Sequence, residues 1–217
     1  MPRKSLSPSA ASLLAALLLA VPTHSLGGDA SHCPHHPKGP PTAEAPTTEV
    51  RLVDAELLDT EGRPLRFKSE ALGDTLVVMD FVFTTCTTVC PVLSAVFARV
   101  QGRLGERLGT EVQLVSLTVD PTRDTPARLK AYSTSLRAKA GWRWLTGRPD
   151  SVRQVLEGLG AYRPDFVNHS PMVLVGDPRT GTWVRLNGFP TEEQILAKVD
   201  ELATARRHAA LVAAERK

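Results

Sequence analysis

Residues 76–83 read Leu-Val-Val-Met-Asp-Phe-Val-Phe, eight positions with one polar side chain among them. A strand with one face in water alternates apolar and polar residues, whereas a run without alternation is a strand covered on both faces. A sheet built around such a strand needs a layer of structure on either side, and the flanking sequence supplies it. After Pro91, Leu93, Val96, Phe97, Val100, Leu104 and Leu108 recur at helical spacing, and Pro91 suits the first turn of that helix. Val112 to Val119 is a second apolar run and predicts a second buried strand. Thr125-Pro126 opens a helix with Leu129, Tyr132 and Leu136 on one face, and Trp142 to Leu145 is a short strand. Val152, Val155, Leu156 and Leu159 mark a further helix stopped by Gly160. Met172 to Val175 and Thr182 to Leu186 flank a turn at Asp177–Gly181, and Thr191 with Gln194 forms a capping box for a last helix. Upstream, Leu52 to Leu58 and Leu65 to Phe67 form a hairpin around Asp59-Thr60-Glu61-Gly62. Strands alternating with helices and closing on an antiparallel hairpin predict the α/β class: a mixed sheet flanked by helices, with an N-terminal hairpin extension.

The first 48 residues belong to a different regime. Arg3 and Lys4 precede an apolar stretch, Ala11 to Val21, with small residues beyond it. This is the pattern of a secretory signal, and the stretch is shorter than the roughly 20 apolar residues of a membrane span. Residues 1–25 are therefore expected to be a signal peptide, or failing cleavage a short anchor. Residues 26–48 carry five prolines and few large apolar groups, which predicts a flexible His- and Pro-rich linker. Residues 49–217 form the single folded domain. Arg3 and Lys4 carry two of the three net positive charges. The remainder is close to neutral, which argues against a nucleic-acid partner. Membrane contact is expected only if the N-terminal segment stays uncleaved.

Export changes the meaning of the three cysteines, Cys33, Cys86 and Cys90. Three are too few for a disulfide framework, and a close pair inside a large domain points to redox or metal chemistry. Cys86 and Cys90 stand where the buried strand ends and the helix begins, in Phe83-Thr84-Thr85-Cys86-Thr87-Thr88-Val89-Cys90-Pro91. Backbone N–H groups at a helix start stabilise a thiolate. Two cysteines four apart bring both sulfurs to one side of a turn, where they close a disulfide or hold one soft metal ion. The plainer alternative is a pair of inert buried thiols. In the linker, His32, Cys33, His35 and His36 form a second cluster of metal-ligand type.

The same segment resembles the Sco/SenC family of copper-binding proteins, whose fold is thioredoxin-like. The family's T-x-C-x-x-x-C-P is met by Thr84, Cys86, Cys90 and Pro91, and its D-P-x-x-D-T-P by Asp120-Pro121-Thr122-Arg123-Asp124-Thr125-Pro126. A His shortly before a late strand is met by His169 in Val167-Asn168-His169-Ser170-Pro171. The resemblance runs from about Val50 to Leu202. Thr87-Thr88 replaces the Pro-Asp pair common after the first cysteine, which sets the chain in another branch and leaves its client open.

The resemblance implies copper ligands at Cys86, Cys90 and His169. Two thiolates and an imidazole suit Cu(I), with Cu(II) also reachable, and they fall one short of a structural zinc site. His169 is the only histidine between residues 37 and 207. The implied function is a copper chaperone, exported to the periplasm or the outer face of the inner membrane, that helps assemble a respiratory copper site, foremost in cytochrome c oxidase. Its expected partners are a copper-accepting oxidase subunit and, beyond it, another copper carrier or a thiol reductase. The rival is a thiol–disulfide oxidoreductase that uses Cys86 and Cys90 as a catalytic redox pair without His169. A peroxiredoxin needs a proline where Phe83 stands. Thioredoxins carry a buried acid at the spacing of Asp80, six residues before Cys86. Asp80 is therefore read either as a proton relay to a thiol or as a cap on neighbouring backbone.

Overall fold

The computed structural model describes residues 47–165 and 170–215. In chain order the elements are β1 (Glu56–Leu58), β2 (Pro64–Arg66), β3 (Leu76–Val82), α1 (Val89–Leu104), β4 (Val112–Thr118), α2 (Pro126–Ser135), β5 (Trp142–Leu145), α3 (Pro149–Gly158), β6 (Met172–Asp177), β7 (Thr182–Asn187) and α4 (Glu192–Glu215). The main sheet has the order β5-β4-β3-β6-β7. β3, β4 and β5 run parallel, and β6 and β7 run antiparallel to their neighbours. β1 and β2 pair separately as a small antiparallel hairpin. This is the expected mixed α/β architecture.

Every residue of β3 is buried. Val77, Met79 and Phe81 join an apolar cluster with Val115, Leu117, Val152, Val155, Leu156 and the hairpin residue Leu57. Leu76, Val78 and Val82 point the other way, into a cluster with Leu93, Phe97, Val100, Leu129, Ile195 and Val199. The two-residue period thus assigns α3 and the hairpin to one face, and α1, α2 and α4 to the other. Parallel strands bring the ends of β3, β4 and β5 to the same edge of the sheet. β6 runs antiparallel with Asp80 opposite Val173, so the chain enters β6 beside the end of β3. The exit of β7 is held there too, because Gly188 N–H donates to the Pro171 carbonyl at 2.7 Å. The cysteine turn, the Asp120 turn and the start of β6 therefore converge at one end.

The structure departs from the sequence reading in four places. β1 is three residues, not seven, and β2 stops at Arg66. Phe67–Leu72 forms a π-helical turn instead of continuing the strand. The cause is Asp54, whose carboxylate accepts from the N–H groups of Lys68 and Ser69 at 2.8 and 3.0 Å and so caps that turn. Pairing begins at Thr47, within the stretch expected to be linker, where Thr47 bridges Val184 and Thr48 N–H donates to the Trp183 carbonyl at 2.8 Å. Finally, α1 starts at Val89, which draws Cys90 into its first turn ahead of Pro91.

Candidate metal and thiol site

A helix begins with N–H groups that have no partner of their own. In α1 the residue at the N-cap position, Thr88, makes no side-chain capping bond. The sulfur of Cys86 takes that role: Cys90 N–H donates to Cys86 Sγ at 3.4 Å, with Thr88 Oγ1 at 3.8 Å from the same sulfur. Pro91 follows and has no N–H to leave unpaired. Cys86 N–H closes the preceding turn on the Phe83 carbonyl at 3.0 Å. Both cysteines are free thiols, 7% and 1% exposed, packed in the cluster that holds Phe83, Val119, Leu156 and Met172.

The two sulfurs differ in acidity. Burial pushes the Cys86 thiol up, but hydrogen bonds from the N–H groups of Cys90 and Thr88 and from both side chains outweigh it and hold Cys86 below the ordinary thiol value. Burial dominates at Cys90 and drives it well above that value. The Phe83 N–H pulls it back in part, while its bond to Cys86 and the charges of Cys86 and Asp80 push it further up. The anionic form is thus favoured at Cys86, and Cys90 is a thiol that donates to it. The arrangement suits a nucleophile with a resolving partner, and equally a pair of soft ligands of which one is the more readily deprotonated.

A buried carboxylate steadies the turn. Asp124, 1% exposed, accepts from Thr84 N–H at 3.0 Å, from Thr84 Oγ1 at 2.6 Å and from Thr118 Oγ1 at 2.6 Å. Its own carbonyl accepts from Thr146 Oγ1 at 2.7 Å. Asp120 folds its turn by accepting from Thr122 Oγ1 at 2.6 Å and Arg123 at 3.0 Å. Sequence reading singled out Thr84, Asp120 and Asp124 as motif positions without a role. Thr118 passed unnoticed, although a hydroxyl at the end of an apolar run, two residues before Asp120, was a visible signal.

Asp80 is fully buried on β3. Its Oδ1 accepts from Ser116 Oγ at 2.6 Å across the β3–β4 ladder, and Ser116 in turn accepts from Trp142 Nε1 at 3.0 Å. Its Oδ2 has no hydrogen-bond partner among the described residues. Asp80 therefore does not cap the backbone of its neighbours. Burial raises its pKa to about 7, against the partial opposition of Ser116 and its own N–H.

His169 lies outside the described residues, as do the signal-like segment and His32, Cys33, His35 and His36 of the linker. Among the described residues no group of three or more His, Cys, Asp or Glu side chains forms a metal cage, and no helix is long and apolar enough to cross a membrane. The described part of the site offers two sulfur donors, a set that fits a soft ion and needs a further ligand from elsewhere.

The SCO1/SenC family profile matches residues 49–204. A protein of Stutzerimonas stutzeri named for copper binding is 35% identical over 112 residues, covering 52% of this chain and 53% of that protein. The chain spans about half the length of the curated relatives it matches. A crystal structure of a SCO1/SenC family lipoprotein from Bacillus anthracis superposes with a TM-score of 0.62 at 26% identity, covering 72% of this chain and 97% of that one. BsSco, described as a member of the Sco family of cytochrome c oxidase assembly proteins and as having a disulfide switch, superposes with a TM-score of 0.61 at 22% identity, covering 73% and 96%.

Two measurements follow from the site. The folded state holds a proton on Asp80 up to about pH 7, whereas the unfolded chain releases it near pH 4. The folded state therefore binds more protons across that window, and stability attributable to Asp80 falls as pH rises through it. That difference corresponds to about 4 kcal/mol. In urea unfolding of the reduced protein, Asp80→Asn should match wild type near pH 4 and exceed it by a few kcal/mol at pH 8. A constant difference between the two proteins at all pH values would contradict the assignment. Secondly, iodoacetamide at neutral pH should alkylate Cys86 ahead of Cys90 in peptide mass maps; equal or reversed labelling would refute the asymmetry of the two sulfurs.

Proposed function

Because the chain belongs to the SCO1/SenC family, we propose that it is an exported copper carrier that holds one copper ion through Cys86, Cys90 and His169 and passes it to a respiratory copper site, foremost in cytochrome c oxidase. The observation that carries this reading is the thiol pair at the start of α1, where Cys90 N–H donates to Cys86 Sγ and Cys86 is the more acidic sulfur. The names of the relatives support the cargo and the client: one is named for copper binding, another belongs to a set of oxidase assembly proteins. A lipoprotein relative and the basic-then-apolar start of this chain support export. Residues 1–25 act as the signal or a short anchor, residues 26–48 as the linker, and residues 49–217 as the copper domain. The linker set His32, Cys33, His35 and His36 is an auxiliary capture site.

The ion is the cargo, and the chain's residues manage its thiolates. Cys86, the more acidic of the two sulfurs, is the readier to meet an incoming Cu(I). Cys90 must give up its proton on binding. His169 completes the set with a neutral nitrogen. Loading therefore releases protons, and affinity falls as pH falls.

The second reading, a thiol–disulfide oxidoreductase, is favoured by the acidity difference between the sulfurs and by the disulfide switch described for BsSco. The Cys86 thiolate would attack a client disulfide, and the Cys90 thiol would then displace the client as a dithiol. Two electrons pass to the client and Cys86–Cys90 closes as a disulfide.

Titration of the reduced protein against a chromophoric Cu(I) chelator separates the readings. Wild type should bind one Cu(I) tightly; Cys86→Ala and Cys90→Ala should abolish tight binding, and His169→Ala should weaken it severely while keeping disulfide-reductase activity. Deletion of residues 26–46, which stops short of the Thr47 and Thr48 pairing with β7, should remove only a weaker second site. Unchanged affinity in Cys86→Ala would overturn the site, and normal oxidase assembly by His169→Ala at limiting copper would favour the oxidoreductase.

A further inference from the structure

Two motifs that stand forty residues apart in the sequence meet on a single buried carboxylate. Asp124 Oδ1 and Oδ2 lie 3.0 and 3.2 Å from Thr84 N, and Oδ1 lies 2.6 Å from Thr84 Oγ1. Thr84 is the second residue beyond β3 and stands two positions before Cys86. Its N–H and hydroxyl are both taken by a group from the β4–α2 connection. We propose that Asp124 is the positioning residue of the thiol pair: acting through Thr84, it holds the 83–86 turn in the conformation that presents both sulfurs at the start of α1. The inference rests on the reading of Cys86 and Cys90 as the working pair, and it gives the Asp120–Pro126 motif a task that its own turn does not require.

Within its own turn Asp124 needs little. Its N–H donates to the Asp120 carbonyl at 2.9 Å, and Thr118 Oγ1 supplies one bond to the carboxylate. The remaining acceptor capacity is directed at Thr84. Two acceptor oxygens on a short stem serve this set. An amide in the same place would turn an N–H₂ group toward one of the donors. Because Asp124 is 1% exposed, water does not compete for these bonds, and each is stronger than it would be at the surface.

The turn is then tied at three points: Thr84 to Asp124, Cys86 N–H to the Phe83 carbonyl, and Cys86 Sγ to the Cys90 N–H. Copper binding and disulfide closure both require two sulfurs on one side of one turn. A turn ordered by the fold does not have to be ordered at the moment of reaction, so both processes gain from the clamp.

The test uses the full chain carrying Thr84→Val, which deletes one hydroxyl donor and keeps the backbone bond, with Thr84→Ser as the rescue and Asp124→Asn as the direct change. Cu(I) affinity is read by chelator competition, the Cys86–Cys90 potential by equilibration with a dithiol buffer, and folding by urea titration. Thr84→Val should fold as wild type and bind Cu(I) about 10- to 100-fold more weakly, the usual effect of losing a partner that orients a ligand. Its potential should rise by about 30 mV for each tenfold loss of disulfide stability. Thr84→Ser should restore both values, and Asp124→Asn should shift them the same way. If Asp124→Asn fails to fold, Thr84→Val decides alone. Wild-type affinity and potential in folded Thr84→Val would overturn the proposal. If wild type itself takes up no Cu(I), the copper reading fails instead, and the potentials of the same proteins still decide whether the clamp positions the pair.

Discussion

Strand β3 has no face left for water. Val77, Met79 and Phe81 pack toward α3, while Leu76, Val78 and Val82 pack toward α1 and α4. A strand covered on both sides can carry chemistry only where it ends, and in a sheet whose central strands run parallel those ends lie together. The cysteine turn after β3 and the Asp120 turn after β4 share that edge. β6, antiparallel to β3, brings its entry to the same place. The location of the site is thus a consequence of core packing before any reactive residue is considered. Asp80 is the exception within the strand, a carboxyl kept inside at the expense of an elevated pKa.

At that edge, α1 must satisfy the N–H groups of its first turn, and a cysteine sulfur does what a serine or aspartate oxygen does in other helices. The consequence is chemical as well as structural. The donors that complete the helix favour the anionic form of Cys86, while Cys90, one turn later and inside the core, is held as a thiol. The fold thereby makes two identical side chains unequal. The inequality is useful to both proposed chemistries, because a metal needs a ready first ligand and disulfide exchange needs a nucleophile with a partner.

Much of this was legible in the sequence because it depends on periodicity. β3 and β4 announced themselves by unbroken apolar runs, and α1 and α3 by Leu, Val and Phe at helical spacing. Thr191 and Gln194 do form their reciprocal cap, with bonds of 2.9 and 3.3 Å. What escaped depends on contacts between distant residues. The π-helical turn at Phe67–Leu72 exists because Asp54, more than a dozen residues earlier, caps it, and no local pattern reveals that. The linkage of Asp124 to Thr84 spans forty residues and leaves no period in the sequence. The start of α1 at Val89 depends on the Cys86 sulfur acting as an acceptor, a role outside the usual capping alphabet. His169 was singled out by its isolation among histidines and by resemblance, and its place lies outside the described residues.

The account turns on the ligand set at the start of α1. The most direct measurement is the X-ray absorption spectrum of the Cu(I)-loaded protein, recorded for wild type, Cys86→Ser and His169→Ala. The account predicts two sulfur donors and one nitrogen donor in wild type, loss of one sulfur in Cys86→Ser, and loss of the nitrogen in His169→Ala. A wild-type spectrum without sulfur, or one left unchanged by Cys86→Ser, would contradict it.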